Sequence, residues 1–266
     1  MSVRLAIAGA SGRMGRALIE AAARDPRVLI VALLDQASSP FAGHDGGALA
    51  AHCKGIPIGA DIAAAVSQSD VFIDFTRPNG TLAHLAVCRA QKVNMVIGTT
   101  GFDESAKRAI SEAGHDIGIV FAANMSIGVN VAVKLVEMAT RVLHNHYDIE
   151  IVEAHHSKKV DAPSGTALML GEAAAREIGK PLDTLAAYAR HGHTGERQKG
   201  TIGFAALRGG DIVGEHTVMY AGEGERVEIR HVATSRSNFA QGALAAATFL
   251  AGKRTGLYNM GDVLGF

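Results

Sequence analysis

Residues 153–166, Glu-Ala-His-His-Ser-Lys-Lys-Val-Asp-Ala-Pro-Ser-Gly-Thr, hold a dense group of side chains that move protons and grip anions. His155, His156, Lys158 and Lys159 follow a short apolar run that reads as a strand. Imidazole and ammonium groups can donate protons near neutral pH. Taken alone, the same cations also suit a plain solvated loop. The turn Pro163-Ser164-Gly165-Thr166 sharpens the choice, because it opens a predicted helix. Backbone N–H groups at a helix start, with hydroxyls beside them, make a small anion site. Cations upstream and a helix N-terminus downstream fit a small substrate that carries carboxylates.

A second constellation lies near the start of the chain. Gly9-Ala10-Ser11-Gly12-Arg13-Met14-Gly15 follows a predicted strand and opens a predicted helix. That is the context of a dinucleotide phosphate loop: glycines let the backbone approach a pyrophosphate, and the helix N-terminus offers it free N–H groups. The spacing is G-x-x-G-x-x-G rather than the commoner G-x-G-x-x-G, and an ordinary strand-to-helix turn has the same glycines. Asp35, 20 residues beyond Gly15, ends the second predicted strand, where an acidic residue can hydrogen-bond the adenosine ribose. Gln36 follows it instead of a base, and Arg13 is the one candidate counter-charge for a 2′-phosphate. The expectation is a tilt toward NADH, with NADPH left open. Three further loops carry small polar groups at strand ends: Thr76-Arg77-Pro78, Gly98-Thr99-Thr100-Gly101 and Ala122-Ala123-Asn124-Met125. In an open parallel sheet ligands sit beyond the carboxyl ends of the strands, so these loops should line the nicotinamide side.

The elements that must carry these loops alternate through the first half. Strands are predicted over residues 5–8, 28–34, 71–75, 95–97 and 117–121, and helices over 14–24, 78–91 and 103–113. Alternation of buried strands with helices means a parallel sheet covered on both faces, a Rossmann-type doubly wound arrangement. After a long helix over 127–143 the pattern changes. A strand over 148–154, a loop and helix over 163–178, and three consecutive strands over 201–207, 211–220 and 226–232 imply an α+β domain with a largely antiparallel or mixed sheet, the last three strands forming a meander. A final Ala-rich helix spans 238–250. The expected division is residues 1–127 with 237–266 for the dinucleotide, and 128–236 for the substrate and for assembly.

Composition narrows the class. The 266 residues are 48% hydrophobic, enough for proper cores, with 5% aromatics and no Trp. Lys+Arg and Asp+Glu are both 26, so the basic excess of a nucleic-acid binder is missing. No apolar run reaches the roughly 18 residues of a membrane span, and no signal peptide is read at the N-terminus. Cys53 and Cys88 have neither disulfide-framework nor metal-ligand spacing, and no metal site is expected. Two reduced thiols fit a cytoplasmic protein. The remaining histidines, His84, His216 and His231 among them, are read as ordinary structural side chains.

Several blocks, in order along almost the whole chain, resemble the dihydrodipicolinate (4-hydroxy-tetrahydrodipicolinate) reductase family: Gly9–Gly15, FIDFTRP at 72–78, VIGTTGF at 96–102, residues 122–130, EAHHSKKVDAPSGTA at 153–167, and HTGER at 193–197 with residues 200–204. The resemblance implies an oxidoreductase that reduces a small dicarboxylate heterocycle with NADH or NADPH, on the diaminopimelate route to lysine. It implies that Gly9, Ala10, Ser11, Gly12, Arg13 and Met14 hold the pyrophosphate, that Asp35 takes the ribose, and that Gly98, Thr99, Thr100, Ala122, Ala123, Asn124 and Met125 meet the nicotinamide half. His155 would be the catalytic proton donor or acceptor and Lys159 a proton donor, and His156, Gly165 and Thr166 would bind substrate carboxylates. A homotetramer built through the second domain's sheet, and a closure of the two domains, are also implied. A semialdehyde dehydrogenase would want a nucleophilic cysteine in the second half, and both cysteines precede residue 90. A dinucleotide sensor would need no proton-donor cluster.

Overall fold

The computed structural model describes residues 2–266. The chain divides into two compact units, Met1–Ile127 with Arg236–Phe266, and Gly128–Ser235.

The first unit is built on a seven-stranded sheet: β1 (Val3–Ala8), β2 (Val28–Leu34), β3 (Ile58–Gly59), β4 (Val71–Asp74), β5 (Asn94–Ile97), β6 (Gly118–Phe121) and, from the end of the chain, β12 (Gly256–Tyr258). The order is β12-β6-β5-β4-β1-β2-β3, and every pair is parallel. Such strands are buried on both faces and so read as unbroken apolar runs; all four residues of β4 are buried. Leu5, Ile7, Val71, Ile73, Val96 and Val120 pack with α1 (Arg13–Ala22) and α8 (Ser237–Leu250). Phe72, Met95, Ile97 and Ile119 face the other way, onto α2 (Ile62–Ser67), α3 (Pro78–Gln91) and α4 (Glu104–Ala113). Pro78 opens α3, where its missing N–H costs nothing, and Lys92 closes that helix in the left-handed region at φ 58°. Asp103 caps α4 by accepting from the Ala106 N–H at 2.7 Å. Sequence order reverses between β1 and β4, which defines the crevice where doubly wound sheets bind ligands.

In the second unit α5 (Ile127–Leu143, starting at the boundary) and α6 (Gly165–Ile178) cover one face of a five-stranded mixed sheet. The strands are β7 (Asp148–His155), β8 (Ala186–Ala187, after the short α7, Leu182–Leu185), β9 (Ile202–Arg208), β10 (Gly214–Ala221) and β11 (Arg226–Ala233), in the order β11-β10-β7-β9-β8. The expected mixed sheet is present, but the meander is not. Only β10 and β11 form a hairpin; β9 lies parallel to β7, and β7 stands between β9 and β10. The Gly209-Gly210 turn between β9 and β10 is tied elsewhere: the Gly209 N–H donates to the His155 carbonyl at 2.9 Å, and the Ser157 N–H to the Gly210 carbonyl at 3.2 Å. The turn therefore wraps the end of β7 rather than folding β10 onto β9. Sequence reading also missed β3, α2, α7, β8, β12 and α9 (Met260–Leu264), all short.

Candidate active site

β7 ends at His155, and its alternation places Glu153 and His155 on one face. Glu153 is 1% exposed and His155 8%. His155 Nδ1 lies 2.6 Å from Glu153 Oε2. Arg208, opposite His155 in the β7–β9 register, donates from both terminal nitrogens to the two Glu153 oxygens, each at 2.8 Å. The Ser164 N–H donates to Glu153 Oε1 at 3.1 Å. Burial pushes the Glu153 carboxyl upward, but the hydrogen bonds from Arg208 and His155 outweigh it and hold the group below its usual range.

The neighbouring strands complete the cluster. His216 stands opposite Glu153 in the β7–β10 register and packs edge-on against His155, ring centres 5.1 Å apart. His216 Nε2 is 2.9 Å from Ser164 Oγ, which also caps α6 by accepting from the Ala167 N–H at 3.2 Å. His231, paired with His216 across β10–β11, follows at 6.4 Å. Burial first, then the charge of His155, pushes His216 down to about 4; burial also lowers His231. The Nδ1 atoms of His156, His216 and His231 are buried without a hydrogen-bond partner.

Of the residues singled out from sequence, His155 is in this network. The N-cap Ser164 places Gly165 and Thr166 at the first turn of α6, and His156 is half-buried beside His155. Lys159 Nζ lies 2.8 Å from both Asp161 oxygens. Arg208 Nη2 also donates to the Asp161 carbonyl at 2.6 Å, so the loop that carries Lys159 is fastened to the Glu153 clamp. Glu153, Arg208 and His216 were not singled out. Glu153 had a readable signal, two residues before a candidate acid on one strand; Arg208 and His216 had none without the strand pairing.

In the first unit, Gly9–Gly15, Thr76–Pro78, Gly98–Thr100 and Ala122–Met125 follow β1, β4, β5 and β6, at one edge of the parallel sheet. Gly9 has φ +65°, open to glycine. A Cβ at Gly15 would stand 2.2 Å from the Gly9 carbonyl oxygen, so only glycine lets the loop close on α1. Gly12 caps α1 with no side-chain hydrogen bond, leaving that helix start to a ligand. Asp35 accepts from the Ser11 N–H at 3.1 Å, from the Ser11 hydroxyl, and from the Gln36 N–H at 2.9 Å. Arg13 is exposed, whereas Arg16 donates to the Ser11 carbonyl at 3.0 Å and lies over the Phe41 ring. Buried Asp74 ties two loops together: it accepts from the Thr76 N–H and hydroxyl at 2.7 Å, from Thr99 Oγ1 at 3.3 Å, and sits 2.6 Å from His84 Nδ1. Met125 is buried, and its carbonyl lies where a Cβ of Gly242 on α8 would fall. Uncapped helix start, glycine cradle and the Asp35 carboxylate at the end of β2 together fit a dinucleotide.

Two family profiles meet at the boundary between the units near residue 127, although the second runs on through the C-terminal segment that folds with the first unit. One described as "Dihydrodipicolinate reductase, N-terminus" matches residues 3–125, and one described as "Dihydrodipicolinate reductase, C-terminus" matches residues 128–264. The chain belongs to the dihydrodipicolinate reductase family. A 4-hydroxy-tetrahydrodipicolinate reductase of Nitrosospira multiformis is 56% identical over 264 residues, covering 99% of this chain and 98% of the relative. One from Laribacter hongkongensis is 57% identical over 263 residues, 99% and 98% covered. Among solved structures, a dipicolinate-bound dihydrodipicolinate reductase from Paenisporosarcina sp. TG-14 superposes with a TM-score of 0.76 at 23% identity, over 97% of this chain and 98% of that one, which shows the shared fold. The expected resemblance and the expected fold class are both borne out. Membership in this reductase family makes the chain an oxidoreductase, and its Rossmann-type unit implies a nicotinamide cofactor. Among the described residues no helix is long and apolar enough to cross a membrane.

Proposed function

We propose that the chain reduces 4-hydroxy-tetrahydrodipicolinate to tetrahydrodipicolinate with loss of water, as a cytoplasmic homotetramer on the diaminopimelate route to lysine. The observation that carries this reading is His155: its Nδ1 is taken by Glu153, and among the described residues Nε2 has no hydrogen-bond partner. A reduction that adds hydride to a nitrogen heterocycle builds negative charge on the ring system, and a positioned acid that answers it contributes about 10²–10⁴ in rate. When bound, the nicotinamide supplies the hydride. His155 Nε2 then gives the proton, and Lys159 is a second donor in the adjoining loop. The backbone N–H groups at Gly165 and Thr166, with His156, hold the substrate carboxylates.

Gly9, Ala10, Ser11, Gly12, Arg13 and Met14 take the pyrophosphate in this reading, and Gly98, Thr99, Thr100, Ala122, Ala123, Asn124 and Met125 take the nicotinamide half. NADH is favoured over NADPH, because a 2′-phosphate would face the Asp35 carboxylate with Gln36 beside it. For the tetramer, helices cover one face of the second sheet, while Leu207, 58% exposed, and Val232, 45% exposed, lie on the other. The free, buried thiols of Cys53 and Cys88 suit a reducing compartment.

The test is oxidation of NADH and of NADPH with substrate generated from pyruvate and aspartate semialdehyde. Substrate-dependent oxidation, faster with NADH, is expected. A folded protein that binds dinucleotide but oxidises neither would overturn the reading.

A further inference from the structure

Glu153 is a buried carboxylate that the reaction itself does not use. A buried charge is costly unless it is paired and hydrogen-bonded. Here the Arg208 fork and the Ser164 N–H already supply three donors. The fourth contact is His155 Nδ1 at 2.6 Å. An ionised carboxylate only accepts, so the nitrogen facing it must carry a proton. The neutral ring is therefore the Nδ1–H tautomer, and the charged ring presents its second proton at Nε2.

The remaining surroundings of the ring agree. From β9 the Arg208 guanidinium reaches Glu153 rather than the imidazole. From β10 His216 lies edge-on to the ring, with His231 of β11 behind it. Burial pushes His216 down to about 4, so at neutral pH it places no positive charge beside the His155 ring. In the adjoining loop the charge of Lys159 is paired with Asp161, and His156 follows His155 directly.

We propose that Glu153, clamped by Arg208, is the positioning residue for His155: it holds the Nδ1 proton and makes Nε2 the nitrogen that carries the working proton. This rests on the reading of His155 as the proton donor. Removing the carboxylate leaves Nδ1 without its acceptor, so nothing then fixes the proton there and Nε2 is no longer held as the proton-carrying nitrogen.

The experiment starts without substrate. In the full chain with ¹⁵N-labelled histidine, long-range proton–nitrogen spectra, assigned by difference with His155→Gln, should show neutral His155 protonated at Nδ1. Protonation at Nε2 would overturn the proposal, and this needs no variant of Glu153. Glu153→Gln should move the ring to the Nε2–H tautomer and lower kcat by about 10²-fold, with little change in KM. In the His155→Gln background the same substitution should cost nothing further, because it acts through the ring. A second loss of similar size there would make Glu153 a structural residue only. If the wild type reduces no substrate, the proposed function falls, and the tautomer result still judges the positioning.

Discussion

Gly214, the first residue of β10, lies against the working side of His155: a Cβ at position 214 would stand 3.1 Å from His155 Nε2 and 3.4 Å from Cδ2. That is tighter than a methyl group normally approaches, so the ring must give by a few tenths of an ångström. Glu153 holds the ring by its other nitrogen and resists the shift. Gly214→Ala should lower kcat by about 10-fold, since small misplacements of a reacting group are expensive. The dissociation constant for NADH, read by fluorescence titration, should not change. A wild-type kcat in this variant would mean that Nε2 takes no part in the rate-limiting chemistry.

Stability should fall on the acid side because of His216. Its folded value is depressed from 6.5 to about 4, so between those limits the unfolded chain binds the proton and the folded chain does not. The stabilisation is complete above about pH 6.5 and is lost progressively as pH falls toward 4, to an extent on the order of 3 kcal/mol. Glu153, held below its ordinary 4.5, adds to the loss at still lower pH. Urea unfolding at a series of pH values should show the slope, and His216→Asn should flatten the part above pH 4. An unaltered slope in that variant would assign the loss to other groups.

The parallel sheet was legible because strands buried on both faces are continuous apolar runs, as in Val71-Phe72-Ile73, and because a capping Asp103 or an opening Pro78 marks the next helix. The glycine loop was legible for the same reason, having a strand before it and a helix after it. The second sheet was legible only as strands. Which strand neighbours which depends on where Gly209 and Gly210 hydrogen-bond, and turn residues do not announce that. The same gap hid half of the candidate site. Glu153 and Arg208 are 55 residues apart, and Ser164 and His216 are 52 apart, so each pair exists only once β7 lies between β9 and β10. His216 looked like an ordinary core histidine, and burial is indeed what shapes it; its contact with His155 is what the chain order concealed.

Gly15 should be the least replaceable residue of the dinucleotide loop. A Cβ there would lie 2.2 Å from the Gly9 carbonyl oxygen and 2.6 Å from that of Ala10, both backbone atoms that no rotamer change can move. Gly15→Ala must push α1 away from the loop and spoil the helix start proposed to hold the pyrophosphate. NADH affinity should drop by at least about 10-fold, with a loss of stability of about 1–3 kcal/mol from overpacking. Gly12→Ala, whose Cβ would be 3.1 Å from the same Gly9 oxygen, should be milder on both counts. Calorimetric titration with NADH and thermal unfolding rank the two variants; the opposite order would mean that the loop opens easily.

Cofactor preference should move with a single residue beside Asp35. Both Asp35 oxygens accept hydrogen bonds from the chain, from Ser11 on one side and the Gln36 N–H on the other. Ser11 and Gln36 thereby hold the carboxylate at the second strand's end, where it suits ribose hydroxyls and repels a phosphate. Gln36→Arg adds a planar, permanently charged fork that can pair with a 2′-phosphate in two places. The backbone N–H of residue 36 still reaches Asp35, so the carboxylate keeps its place. The ratio of kcat/KM for NADPH to that for NADH should rise by about 10-fold or more, mostly through KM for NADPH, as one charge-assisted contact of about 1.5–3 kcal/mol allows. Steady-state rates with both cofactors decide it. An unchanged ratio would shift the discrimination to Arg13, the other exposed cation of this loop.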